Sequence, residues 1–204
     1  MKTRPVIDER RIAVWEAFAE QFLDTERRHE IPSAAMRCIL GGFSVNEAHR
    51  IWAGEVVPVV GYNCLTVAGE WMYWPTDWLV ERCSLRVGAK PGWVESMVLS
   101  IPSILLGKVW RAIEDCMEHL AALDPARRET RTADLTILAR HYFDFVATPI
   151  GPAAHGRLAA LYEAVFLPIF APLAVTEPIT RESPRACDAR VRAALASGLP
   201  ARVG

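Results

Sequence analysis

Apolar residues recur at three- and four-residue spacing along nearly the whole chain, while strict apolar–polar alternation never runs beyond a few positions. That period confines the chain to helices, and the reading is an all-α, multi-helix bundle. Ile12, Trp15, Phe18, Ala19, Phe22 and Leu23 form one stripe, with Glu16, Glu20 and Gln21 mostly off it. This predicts a helix from about Asp8, as N-cap, to about Asp24. Pro32 suits the first turn of a second helix ending near Leu40, where its missing N–H costs nothing, and Gly41-Gly42 closes it. Ser44-Val45-Asn46-Glu47 has the S-x-x-E form of a reciprocal cap and opens a third helix carrying Ala48, Ile51 and Trp52 inward. Pro58 is expected to kink or end it.

After Asn63 a short helical piece carries Leu65, Val67 and Ala68 as far as Gly69, and Pro75-Thr76-Asp77 starts another that holds Trp78, Leu79 and Cys83. Gly88, Pro91 and Gly92 punctuate the linker from Arg86 to Gly92. The expected division is therefore an N-terminal helical unit over 8–88 and a C-terminal one over 89–204, two packed subunits or a single compact domain. The second half carries longer stripes: Leu106, Val109, Trp110, Ile113, Met117 and Leu120, then Leu135, Leu138, Tyr142 and Phe145, then Leu158, Leu161, Tyr162, Val165, Phe166 and Ile169. From Glu177 the chain turns polar and basic, and a loosely held or frayed helix is expected there. No internal repeat is visible.

Charge and cysteine usage remove several classes of function. A formal net charge of −1 gives no general attraction to phosphate backbones, so no nucleic acid is expected. The 5 cysteines are scattered and contain no C-x-x-C, which argues against a disulfide framework or thiolate zinc site and for a reducing cytoplasm. Asp8, Glu9, Arg10 and Arg11 interrupt the N-terminal segment where an export signal needs an apolar run. The apolar stretches Trp93 to Leu106 and Leu161 to Val175 fall short of the roughly 20 residues of a membrane span and contain Pro102, Pro168 and Pro172. Buried helices are expected there, with no membrane partner.

Catalytic signatures are weak. There is no G-x-S-x-G elbow and no glycine-rich phosphate loop, and no cofactor is expected. A metal reading starts from Glu26-x-x-His29, a carboxylate and an imidazole on one helix face, and would add Asp134, His141 and Asp144. The bland reading of the last three is a helix cap, a core histidine and a solvated carboxylate. A small enzyme with a buried site between helices is the alternative function that these residues would serve.

The window from Glu47 to Glu81 is richer in signal. Trp71, Tyr73, Trp74 and Trp78 fall within ten residues, and Glu47, Glu55, Glu70, Asp77 and Glu81 stand against Arg50 alone. Aromatic rings give large contact area at small entropy cost, and acidic groups around them attract a basic partner. Trp71 and Trp78 read as core, and Tyr73 and Trp74 as the more exposed pair. The expected binding residues are Glu55, Glu70, Tyr73, Trp74 and Asp77.

Phe22 to Glu26 (FLDTE), Glu55 to Val59 (EVVPV), Asn63, Ala68 to Trp71 (AGEW) and Asp77 to Leu79 (DWL), with Val14-Trp15 before them, resemble a family of short uncharacterised bacterial proteins over about residues 8–85. The resemblance implies bacterial origin and a compact helical unit, with no activity attached. The expectation is a non-enzymatic, cytoplasmic protein-binding protein, an immunity or inhibitor protein that neutralises a basic bacterial toxin.

Overall fold

The computed structural model describes residues 7–23, 25–61, 74–89, 93–143, 150–174 and 183–197, and these contain helices and no strand. The periodicity therefore predicts the class correctly. Helix α1, Glu9–Ala19, opens on Asp8, whose carboxylate accepts the Arg11 N–H at 2.9 Å. It tightens into a 3-10 turn at Glu20–Phe22, and a second such turn covers Thr25–Glu30. Helix α2, Ile31–Leu40, has Pro32 in its first turn and stops where Gly42 takes a left-handed φ of 74°. Helix α3, Val45–Ile51, carries the reciprocal cap, with Ser44 and Glu47 bonding to each other's backbone N–H.

Pro58 does not end this helix. A π turn at Trp52–Val56 leads directly into α4, Val57–Val60, and the Val57 N–H reaches back to the Trp52 carbonyl. A proline ring in an α-helix collides with the carbonyl four residues earlier, so widening the turn by one residue removes the collision. The same solution recurs downstream. Helix α8, Pro152–Leu161, passes through a π turn at Tyr162–Phe166 into α9, Leu167–Ala174, just ahead of Pro168. The apolar stretch expected to be short is thus part of a helix from Ala153 to Leu173, 21 residues with mean hydropathy 1.3, long and apolar enough to cross a membrane. Its buried side gives Leu158, Leu161, Tyr162, Phe166, Phe170 and Leu173 to the core, and Arg157 and Glu163 are exposed.

Between these lie α5, Thr76–Ser84, α6, Trp93–Ala121, and α7, Pro125–Phe143. Helix α2 packs against α1, α6 and α7. One buried cluster runs from Val14 to Leu195 and takes in residues of every helix. Cys38, Cys83, Cys116 and Cys187 are buried in it as small apolar side chains, and burial pushes the thiols of Cys38 and Cys83 up to about 12.

Helix α10, Pro184–Ser197, is the helix expected in this polar segment, but it is docked rather than loosely held. It docks on α7 and α8, burying Cys187, Val191, Ala194 and Leu195. Arg190 donates to the His141 and Tyr142 carbonyls at 3.0 and 2.9 Å, tying α10 to the backbone of α7. The polar composition that suggested fraying is the outer face of a docked helix.

Candidate functional site

Two surfaces of the first half carry recognition chemistry. The first is where α5 meets α1. Trp74 and Trp78, four residues apart, stack with ring centroids 5.4 Å apart and planes 16° from parallel, both half-buried. The Trp74 indole N–H donates to the Ala19 carbonyl at 3.0 Å, and the Thr76 hydroxyl donates to Glu16 at 2.6 Å. The pair is anchored to α1 from below. Asp77 and Glu81 are exposed on the same helix, and the Arg82 guanidinium lies 5.9 Å from the Trp78 ring. Trp78 is therefore not core, as the sequence suggested, but part of a half-exposed aromatic step. Glu70, Trp71 and Tyr73 lie outside the described residues.

Glu55, grouped by the sequence with the exposed acids, is a correction. It is 5% exposed. Its carboxylate accepts from Arg11 Nε at 3.0 Å, from Arg11 Nη2 at 2.5 Å and from the fully buried Trp15 Nε1 at 2.8 Å. Three donors satisfy a charge that burial alone would penalise heavily. The hydrogen bond that Arg11 donates to Glu55 in turn holds Arg11 above its ordinary pKa. Helical spacing from the inward Ala48, Ile51 and Trp52 already carries position 55 to the buried face, and the distant Arg11 and Trp15 donors, which leave no local pattern, are what let a carboxylate stand there.

Above this network lies the second surface, a cleft of about 550 Å³. Its charged lining is Arg11, Glu47, His49, Arg50, Glu55 and Arg86, with Ala53 and Gly54 of the π turn on the same wall. A Cβ at Gly54 would meet no atom within 4 Å. Glu47 is held below the usual carboxylate range chiefly by the Ser44 hydroxyl, then by the Ser44 N–H. The sequence window hinted at Glu47 and Arg50, but Arg11 and Arg86 come from distant positions and left no local pattern.

The residues of the metal reading are placed differently. Asp134 is buried, and Arg157 grips it through Nε at 2.8 Å and Nη2 at 2.9 Å. It is a mid-helix ion-pair member, not the helix cap of the bland reading. His29 Nε2 lies 3.0 Å from Glu30, whose carboxyl is held low by that contact first. His141 is buried in α7, the side chain of Glu26 and all of Asp144 lie outside the described residues, and among the described residues no three of His, Cys, Asp and Glu converge.

Among family models, a domain of unknown function, DUF7079, matches residues 9–120. That span is just over half of the 204 residues and contains both surfaces. No curated protein matches, and no solved structure matches.

Proposed function

Because the chain belongs to the DUF7079 family, a domain without an assigned function, we propose its role from its own surface: a non-enzymatic protein that binds a basic protein partner. The stacked Trp74–Trp78 pair carries this reading. A half-exposed aromatic step, held in place by the Ala19 carbonyl and flanked by exposed Asp77 and Glu81, loses little side-chain freedom when it is covered. Its acidic rim favours a cationic partner. The finer reading is an immunity or inhibitor protein acting on a toxin in a bacterial cytoplasm, and the buried cysteines suit that reducing compartment.

Trp74→Ala combined with Asp77→Lys tests the surface. Calorimetry against a basic partner protein encoded beside this chain should show affinity reduced at least about tenfold. Unchanged affinity, with helicity intact by circular dichroism, removes this surface from the binding account.

A further inference from the structure

The solvent side of α5 carries more than the stacked indoles. Leu79 and Cys83, four residues apart, are buried and fix the inner face of the helix. Leu85 follows Ser84 with helical backbone angles, φ −69° and ψ −18°. It is 57% exposed, one of two large apolar residues so exposed among the described residues. Seven helical positions make nearly two full turns, so Leu85 stands on the same line as Trp78, about 10 Å further along. The Trp74 ring, stacked on Trp78, carries this line back past the start of the helix. One exposed leucine is ordinary on a protein surface, but an outward line of two indoles and a leucine marks a contact face.

Charge flanks the line. Glu81 falls about 50° to one side of it and Arg82 about 50° to the other. Asp77 and Glu81, four residues apart and both exposed, have no cation in ion-pair reach among the described residues. Like charges at that spacing repel across one turn, and a cation from outside relieves the repulsion. Glu16 of α1 stands beside the same end of α5, accepting from the Thr76 hydroxyl at 2.6 Å.

We infer that α5 receives an amphipathic helix of the partner protein, laid along it so that apolar side chains cover Trp74, Trp78 and Leu85 and lysines or arginines reach Asp77 and Glu81. The inference rests on the binding surface proposed above and names what occupies it. Anchors at four- and seven-residue intervals match the side-chain rows of a second helix. An extended segment would need a strand edge, and the backbone of α5 is engaged within its own helix. Antiparallel pairing with α5 of a second copy would set carboxylate flank against carboxylate flank, so charge disfavours self-association through this face.

Magnetic resonance titration of the full chain with synthetic peptides of about 16 residues, long enough to hold a helix, tests it. The first peptide carries leucines at three- and four-residue spacing flanked by lysines, the second has glutamates for the lysines, and the third is a scramble of the first that breaks the spacing. The first should bind with a dissociation constant of about 1 mM or below and shift the amides from Thr76 to Leu85, and the other two at least about tenfold more weakly. Leu85→Ser, at an exposed position, should weaken the first peptide about tenfold with the helical spectrum unchanged; if that variant does not fold, Glu81→Lys decides. Equal binding of the scramble, no shift up to about 5 mM, or Leu85→Ser binding like the parent overturns the inference. A dimer in sedimentation that Leu85→Ser abolishes also overturns it, by giving the face to self-association. Against the basic partner protein, a loss with Trp74→Ala and Asp77→Lys but none with Leu85→Ser removes the helix and keeps the surface, and no loss with either removes both.

Discussion

The stretches Trp52 to Pro58 and Tyr162 to Pro168 adopt one backbone device and put it to opposite uses. Each begins on a buried aromatic residue and forms a π turn that ends two residues before a proline. Aligned on the prolines, Glu55 corresponds to Val165, Val56 to Phe166 and Ala53 to Glu163. In the first stretch the inward position is a carboxylate, clamped by Arg11 and Trp15 beneath an open cleft. In the second, Tyr162, Phe166 and Phe170 form a continuous stack with centroid spacings of 5.4 and 4.4 Å. The polar contacts there are pushed to the rim, where the Tyr162 hydroxyl donates to Asp188 at 2.8 Å and Arg192 pairs with Glu163 and Asp188. The two stretches share a backbone and bury the matching positions Val56 and Phe166, and they differ at the position before, where the first buries a clamped carboxylate and the second carries the half-buried Val165.

Breaking each turn at its inward group should separate the two. Glu55→Ala leaves a buried indole N–H and a guanidinium without their acceptor, and urea denaturation should show a loss of about 3–5 kcal/mol. Phe166→Ala, at a fully buried position between two rings, should cost about 3–4 kcal/mol, here through a cavity. The chemical difference then shows in salt and shape: filling the second lesion with Leu should recover part of the loss, whereas an apolar replacement at Glu55 should not.

A smaller effect sharpens the rim. Tyr162→Phe removes one hydrogen bond to Asp188 and should cost about 1 kcal/mol by the same measurement. Burial, together with the nearby Cys187 and Asp188, pushes the Tyr142 hydroxyl up from its usual 10 to about 12, with burial the leading cause. A hydroxyl whose folded pKa is raised favours the folded state fully below pH 10, and that contribution is lost as pH climbs from 10 toward 12. Stability measured across that window should therefore fall, and Tyr142→Phe should flatten the fall.

The smallest expected change has the opposite sign. Gly54→Ala adds a Cβ into open space in a helical segment, so it should raise stability by about 0.5–1 kcal/mol. The matching position in the second turn is already Ala164. A destabilised Gly54→Ala would mean that the first turn needs glycine for its geometry and that the two turns are not equivalent.

Helix positions were legible wherever the signal was local. The Asp8 cap, the Ser44–Glu47 reciprocal cap, Pro32 in a first turn and the stripe from Leu106 to Leu120 all rest on spacings of four residues or fewer, and the structure places them as the periodicity predicts. The helix passes Pro58, where a kink or an end is expected, through a π turn, and Glu55 misled because its charge suggests exposure although its spacing from Ala48, Ile51 and Trp52 points it inward. Only an aromatic residue and a proline six positions later recur between the two turns, too little to read as a repeat. Helix α10 misled because Arg190 looks solvated in sequence, while its partners are backbone carbonyls about fifty positions away.

The amino-acid order alone determined the helical class, the caps and most of the buried stripes, since these follow from interactions within a turn or two of the chain. Only the tertiary structure decided which charges face water. Arg11 meets Glu55 across 44 positions and Arg157 meets Asp134 across 23, and the cost of burying a carboxylate is met only when such a distant donor arrives.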